Sequence, residues 1–169
     1  MRVSFKTLIK HFTKDFHNQS VNSPVVRAST LIFKSIEDIR KTQNKSKKNP
    51  IGGHFSYGRE GTSTTFVLQK MLRQMEESYQ VFLTPTGFGS VFLSIFSIVR
   101  PGDEILLSDS IYSPTRLLTE NFLKEYKIKA TFYNPNNIND LKNKITKKTK
   151  LIFVENPGSN TFEFQDLSK

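Results

Sequence analysis

From residue 80 onward the chain alternates short strand-like runs with helix-length apolar stretches, and the connections between them are short. The runs are residues 80–84 (QVFLT), 104–107 (EILL), 129–133 (KATFY) and 151–155 (LIFVE). Between them, residues 88–99 read as an apolar helix stopped by Pro101-Gly102. Residues 113–124 read as a helix whose Ser113-Pro114 pair suits the N-cap and first helical position. Residues 139–145 form a third, shorter helix. That order predicts an open, largely parallel α/β sheet.

The front of the chain is less regular. Residues 1–20 are polar and studded with aromatics, with no clean period. Residues 21–33 (VNSPVVRASTLIF) have extended character, because Pro24 biases Ser23 away from helix and β-branched residues follow. Residues 34–50 read as a short helix and then a solvated loop, Lys-rich at 44–49. Thr62 or Ser63 caps a helix in which Phe66, Val67, Met71 and Met75 recur at helical spacing. No internal repeat is visible, and the Lys-rich residues 142–150 read as a solvated helix end and loop.

A chain of 169 residues is long enough for one domain with a core. Hydrophobic residues make up 36% and Phe alone numbers 15, which argues against general disorder. The absence of Cys excludes disulfides, thiolate chemistry and Cys-based metal sites, and fits a reducing compartment. No apolar run approaches the roughly 20 residues of a membrane span. Lys6, Lys10 and Lys14 interrupt the N-terminus, so no signal-peptide pattern forms. The chain is expected to be soluble and cytoplasmic, with no membrane partner. Its net charge of +10 suits an anionic partner, but it also follows from a Lys- and Asn-rich composition. No recognised motif accompanies the charge, so nucleic acid is not expected as a partner.

Two short segments are candidates for holding a phosphate. Thr86-Gly87-Phe88-Gly89-Ser90 lies where a strand gives way to a helix, and free N–H groups and the helix dipole favour an anion there. It is neither a P-loop nor a G-x-G-x-x-G fingerprint. Glycine at such a turn often serves geometry alone, so this reading stays beside the other. Tyr57 and Arg59 lie two apart, and in an extended segment they point the same way. Arg forks onto phosphate and Tyr adds a donor; the plainer reading is an exposed Arg beside a partly buried Tyr. Tyr112 follows the run at 104–107, where ligands gather in open α/β sheets. It is placed either to stack on a flat ring or to cap the core. Glu155 and Asn156 end the last run on the same side, with no partner carboxylate at fixed spacing for acid–base work. His11, His17 and His54 show no metal-ligand spacing, and no metal is expected.

Taken together these motifs resemble the Cys/Met-metabolism family of pyridoxal-phosphate (PLP)-dependent enzymes, nearest its cystathionine β-lyase branch. The resemblance runs from about Ser20 to the end. It rests on VNSPVVRAST at 21–30, SYGREGT at 56–62, Pro101-Gly102-Asp103 with Tyr112, and Glu155-Asn156-Pro157-Gly158-Ser159.

The resemblance implies an incomplete, N-terminal part of a fold-type I large domain, a mostly parallel sheet with flanking helices. Residues 1–61 would be an extended segment and arm contributing to a neighbouring subunit. Residues 62–169 would be the first part of the PLP-binding domain. Tyr57 and Arg59 would reach the cofactor phosphate of that neighbour, Gly87 and Phe88 would hold the phosphate within the same subunit, and Tyr112 would stack on the pyridine ring. Asn156 departs from the Ser carried by many relatives.

The resemblance also implies what to look for and not find. The Schiff-base lysine, the aspartate facing the pyridine nitrogen and the arginine for the substrate carboxylate have no match here; Lys150 and Lys169 are not substitutes. No catalytic residue is therefore assigned, and the chain is expected to be inactive alone. In the family the first large-sheet strand lies beside a late strand, so residues 80–84 are expected to lack a neighbour and to favour aggregation. The implied activity is carbon–sulfur cleavage of cystathionine to homocysteine, pyruvate and ammonia, in methionine biosynthesis. Alternatives are a fragment of a γ-lyase or γ-synthase of the same family, and a non-catalytic remnant or partner-binding half of a split enzyme. Implied partners are a small sulfur amino acid, further copies in a homo-oligomer, and a separately encoded C-terminal half.

Overall fold

The computed structural model describes residues 24–48, 54 and 56–168. Expectations for residues 1–23 (the period of 1–20, His11, His17 and the start of VNSPVV) and for 49–53 lie outside them. The chain divides into two compact units, with the boundary between Leu83 and Thr84.

In the first unit, helix α1 spans Ile36–Lys48. The helix runs through most of the expected Lys-rich loop. Its acidic first turn and basic last turn complement the helix dipole, and Lys41 pairs with Glu37 at 2.8 Å. No Gly or Pro interrupts it before Pro50. None of its residues is buried. A short 3₁₀ turn, Gly58–Glu60, follows, and then helix α2, Ser63–Met75, which is capped by Thr62 as expected. Thr62 and Thr65 form a reciprocal capping box. Thr64 Oγ1 accepts from Val26 N–H (2.8 Å) and donates to the Pro24 carbonyl (3.0 Å), tying the extended segment to α2. Residues 80–84, expected as a strand, form none: they join no ladder among the described residues, and a strand without a partner leaves its backbone groups unpaired.

The second unit follows the expected alternation. It runs α3 (Gly87–Ile98), β1 (Glu104–Ser108), α4 (Ser113–Leu117), β2 (Lys129–Tyr133), α5 (Ile138–Lys144) and β3 (Thr149–Phe153). The strands form a parallel sheet in the order β2-β1-β3. The central strand β1 is covered on both faces, which explains why Ile105, Leu106 and Leu107 are consecutive apolar residues and all buried. Beside β1, β3 skips one residue: Glu104 opposes Thr149 and Ile105 opposes Leu151, leaving Lys150 exposed in the bulge. The core gathers Ile95, Val99, Ile105, Leu107, Ile111, Leu118, Leu123 and Ile128. Phe92, Phe96, Phe122 and Tyr126 pack as an aromatic group, with centroid separations from 4.7 to 5.9 Å. The expected single helix from Ser113 widens instead into a π-helical stretch at Leu118–Leu123. Within it the Thr119 hydroxyl donates to the Arg116 carbonyl at 2.8 Å, a side-chain bond that competes with the regular ladder.

Among the described residues no helix is long and apolar enough to cross a membrane.

Candidate functional site

Tyr57 and Arg59 come together by a route the sequence did not suggest. Tyr57 is extended, but the chain turns at Gly58 into the 3₁₀ segment, so the period-2 argument fails. Instead the Arg59 guanidinium lies over the Tyr57 ring, 5.2 Å from its centroid. The turn is held by its surroundings. Gly58 N–H donates to the Ser29 carbonyl at 2.7 Å, and any Cβ at Gly58 would run into the Ala28 carbonyl. Gly61 leaves the turn at φ 135°, a conformation that side chains rarely adopt. The Ser56 hydroxyl donates to Glu60 at 2.9 Å. Among the described residues Arg59 joins no ion pair, and it is exposed.

Gly87 and Phe88 open α3. Thr86 is the N-cap, and its Oγ1 accepts from Gly89 N–H at 3.0 Å. That bond satisfies the third helical amide, and the Gly87 and Phe88 N–H groups, at the first two positions, have no partner among the described residues. A Cβ at Gly87 would meet nothing within 4 Å. Two adjacent donors therefore stand at the positive end of a twelve-residue helix, an arrangement that fits a phosphate. Thr84 Oγ1 and Ser90 Oγ meet at 2.6 Å beside the same turn.

Tyr112 is the N-cap of α4, and the residue is 44% exposed. It stands on the loop after β1, at the carboxyl end of the sheet. Its backbone N–H donates to Glu155 Oε2 at 2.9 Å, so the strand ends of β1 and β3 are tied by the Glu155 side chain. Glu155 and Asn156, which sequence left without a defined part, are thus structural anchors of the loop. Asn156 Oδ1 accepts from Gln165 N–H at 3.0 Å and its Nδ2 donates to the Gln165 carbonyl at 3.2 Å. A Ser at this position is too short for both bonds. Gln165 itself drew no notice in the sequence, since nothing in local spacing links it to residues nine or more positions away. The buried Tyr133 hydroxyl donates to Gln165 Oε1 at 2.9 Å; burial pushes its pKa up, so it stays a protonated donor at neutral pH.

Tyr57 and Arg59 belong to the first compact unit, and Gly87, Phe88 and Tyr112 to the second. Two cavities, of about 310 and 550 Å³, lie in the second unit, and none of these five residues lines either.

Comparison with known proteins identifies the family and the fold. The family model described as Cys/Met metabolism PLP-dependent enzyme matches residues 6–169. Cystathionine beta-lyase of Haemophilus influenzae is 39% identical over 155 residues, covering 91% of this chain and 38% of the relative. The Escherichia coli K12 cystathionine beta-lyase is 30% identical over 155 residues, with 92% and 38% covered. A solved Campylobacter jejuni structure carrying N'-pyridoxyl-lysine-5'-monophosphate matches with a TM-score of 0.81 at 23% identity, over 98% of this chain and 40% of that one. The chain thus spans about 38% of the length of the curated relatives named here. The expected fold is the one found, a partial α/β domain of the fold-type I kind with a parallel three-stranded sheet and flanking helices. The chain belongs to the Cys/Met-metabolism family of PLP-dependent enzymes.

Proposed function

We propose that this chain is the cofactor-phosphate and ring-binding portion of a PLP-dependent carbon–sulfur lyase of the cystathionine β-lyase type. The observation that carries the reading is the 39% identity to a cystathionine beta-lyase along 91% of the chain. PLP, when bound, supplies the electron sink for cleavage beside the amino-acid carbon. The chain's own residues bind and orient. The Gly87 and Phe88 N–H groups hold the phosphate, and Tyr112 covers one face of the ring. Tyr57 and Arg59 bring a hydroxyl and a guanidinium to the phosphate of a neighbouring subunit in a homo-oligomer. Residues 1–61 act as the arm that delivers that pair, and residues 62–169 as the start of the cofactor-binding domain. No Lys here lies in the family's Schiff-base motif, so the chain alone binds and positions without turning substrate over. Catalysis then needs a polypeptide bearing that lysine.

The test is direct. The purified chain is incubated with PLP and cystathionine, and pyruvate is followed; none is expected, and turnover at the rate of a full-length relative overturns the reading. Co-expression with a lysine-bearing C-terminal half is expected to give a complex that retains PLP. In that complex Arg59→Ala removes a charge-assisted contact, so retention should fall by about 10- to 100-fold. Lys45→Ala, on the solvated face of α1, should leave retention unchanged. Equal retention in wild type and Arg59→Ala removes Arg59 from the phosphate site.

A further inference from the structure

Tyr112 stands on a loop, and a loop residue that is to cover a ring must be held in place from behind. The restraint is a chain of hydrogen bonds across the carboxyl end of the sheet. Tyr112 N–H is held by Glu155 Oε2 at 2.9 Å. The Glu155 N–H lies 3.4 Å from the Ser108 hydroxyl, and its carbonyl lies 3.4 Å from Gln165 Nε2. The next residue, Asn156, makes the two-bond clasp on the Gln165 backbone. Gln165 is in turn fixed by the hydroxyl of Tyr133, which is only 2% exposed and ends β2. Gln165 therefore touches residues from two strand ends at once, and the third strand end is reached through Glu155. Gly158 adds a second tie, since its N–H donates to the Glu163 carbonyl and Ser159 N–H donates to the Ser110 carbonyl, two residues before Tyr112.

We infer that Gln165 is a positioning residue for Tyr112, acting through Glu155 and anchored by the Tyr133 hydroxyl. The importance of Tyr112 rests on the function proposed above; its restraint by Gln165 does not. Substitution of Gln165 leaves its backbone clasp to Asn156 in place and removes only the side-chain bonds to Tyr133 and Glu155, so the perturbation is local.

The sequence holds five tyrosines, so selective ¹⁵N-tyrosine labelling of the full chain gives few enough amide signals to assign by substitution. Hydrogen exchange is compared at Tyr112 and at Tyr126, whose N–H donates to the Phe122 carbonyl at 3.3 Å and reports on the same unit away from the relay. Glu155→Ala removes the acceptor itself and sets the ceiling. Gln165→Ala is expected to speed Tyr112 exchange about tenfold, the equivalent of roughly one net hydrogen bond, with Tyr126 unchanged. Tyr133→Phe keeps the core shape and should move Tyr112 in the same direction by less. Unchanged Tyr112 exchange in Gln165→Ala overturns the inference, and so does a change shared equally by Tyr126, which would mark a general loss of stability. PLP binding to the wild-type chain is read separately by quenching of tyrosine fluorescence. Its absence sinks the proposed function while the exchange result still decides the role of Gln165.

Discussion

Alanine at position 58 is the sharpest perturbation of the arm. Its methyl would enter the space of the Ala28 carbonyl and lie 2.9 Å from Ser29 N. These are backbone atoms, so no side chain can swing aside. Relief requires the segment around Ala28 and the turn at Gly58–Glu60 to part, which breaks the 2.7 Å bond from Gly58 N–H to the Ser29 carbonyl. Overpacking costs about 1–3 kcal/mol and the lost bond about 1 kcal/mol. The sum, about 2–4 kcal/mol, raises the locally open population roughly 30- to 1,000-fold. Hydrogen exchange by mass spectrometry reads this in peptides covering residues 24–33 and 56–61, which should exchange faster by that factor. Peptides covering β1 and β2, in the other compact unit, should keep their rates. Unchanged exchange at residues 56–61 refutes the reasoning, because it would mean that the close approach does not hold the turn.

The same change at Gly87 should behave oppositely. No atom lies within 4 Å of the new methyl, so Gly87→Ala should leave stability unchanged or raise it by less than about 1 kcal/mol. The methyl would nonetheless add bulk beside the two amides proposed to hold the phosphate, so PLP binding in the lysine-complemented complex should weaken; unchanged affinity removes Gly87 from the site. Leu107→Ala, at a fully buried position of β1, should cost about 2–5 kcal/mol, read from the urea midpoint, and a cost below about 1 kcal/mol would contradict its place in the core. The Lys144 ammonium at 2.7 Å and the Asn134 N–H hold the Asp140 carboxyl below the usual aspartate range. A depressed carboxyl contributes stability above its unfolded pKa, about 3.9, and loses it as pH falls through the folded value. Asp140→Asn should therefore flatten the fall in stability below about pH 4, and identical acid limbs would remove the carboxylate from the account.

The α/β alternation from residue 87 onward was legible because each element carries its own local signal. Pro101-Gly102 ends α3, Ser113-Pro114 starts α4, and β1 is a consecutive apolar run because a central parallel strand is covered on both faces. The glycine turn at Thr86–Gly89 was legible for the same reason, since a cap and its free amides are set within four residues. Several features depend on partners distant in sequence and could not be read locally. Residues 80–84 have the composition of a strand, but a strand exists only as part of a ladder, and none reaches them among the described residues. Arg59 meets Tyr57 through a turn whose glycine is dictated by Ala28, thirty residues earlier, and not by the period of an extended chain. Gln165 acquires its place only when the ends of β2 and β3 are brought into reach of it, because Tyr133, Glu155 and Asn156 converge on it in space and share no spacing along the chain. Composition, caps and periodicity act over a few residues and so determined the elements of this protein; pairing and convergence act across the sheet, and only the tertiary structure decided which side chains stand behind its candidate site.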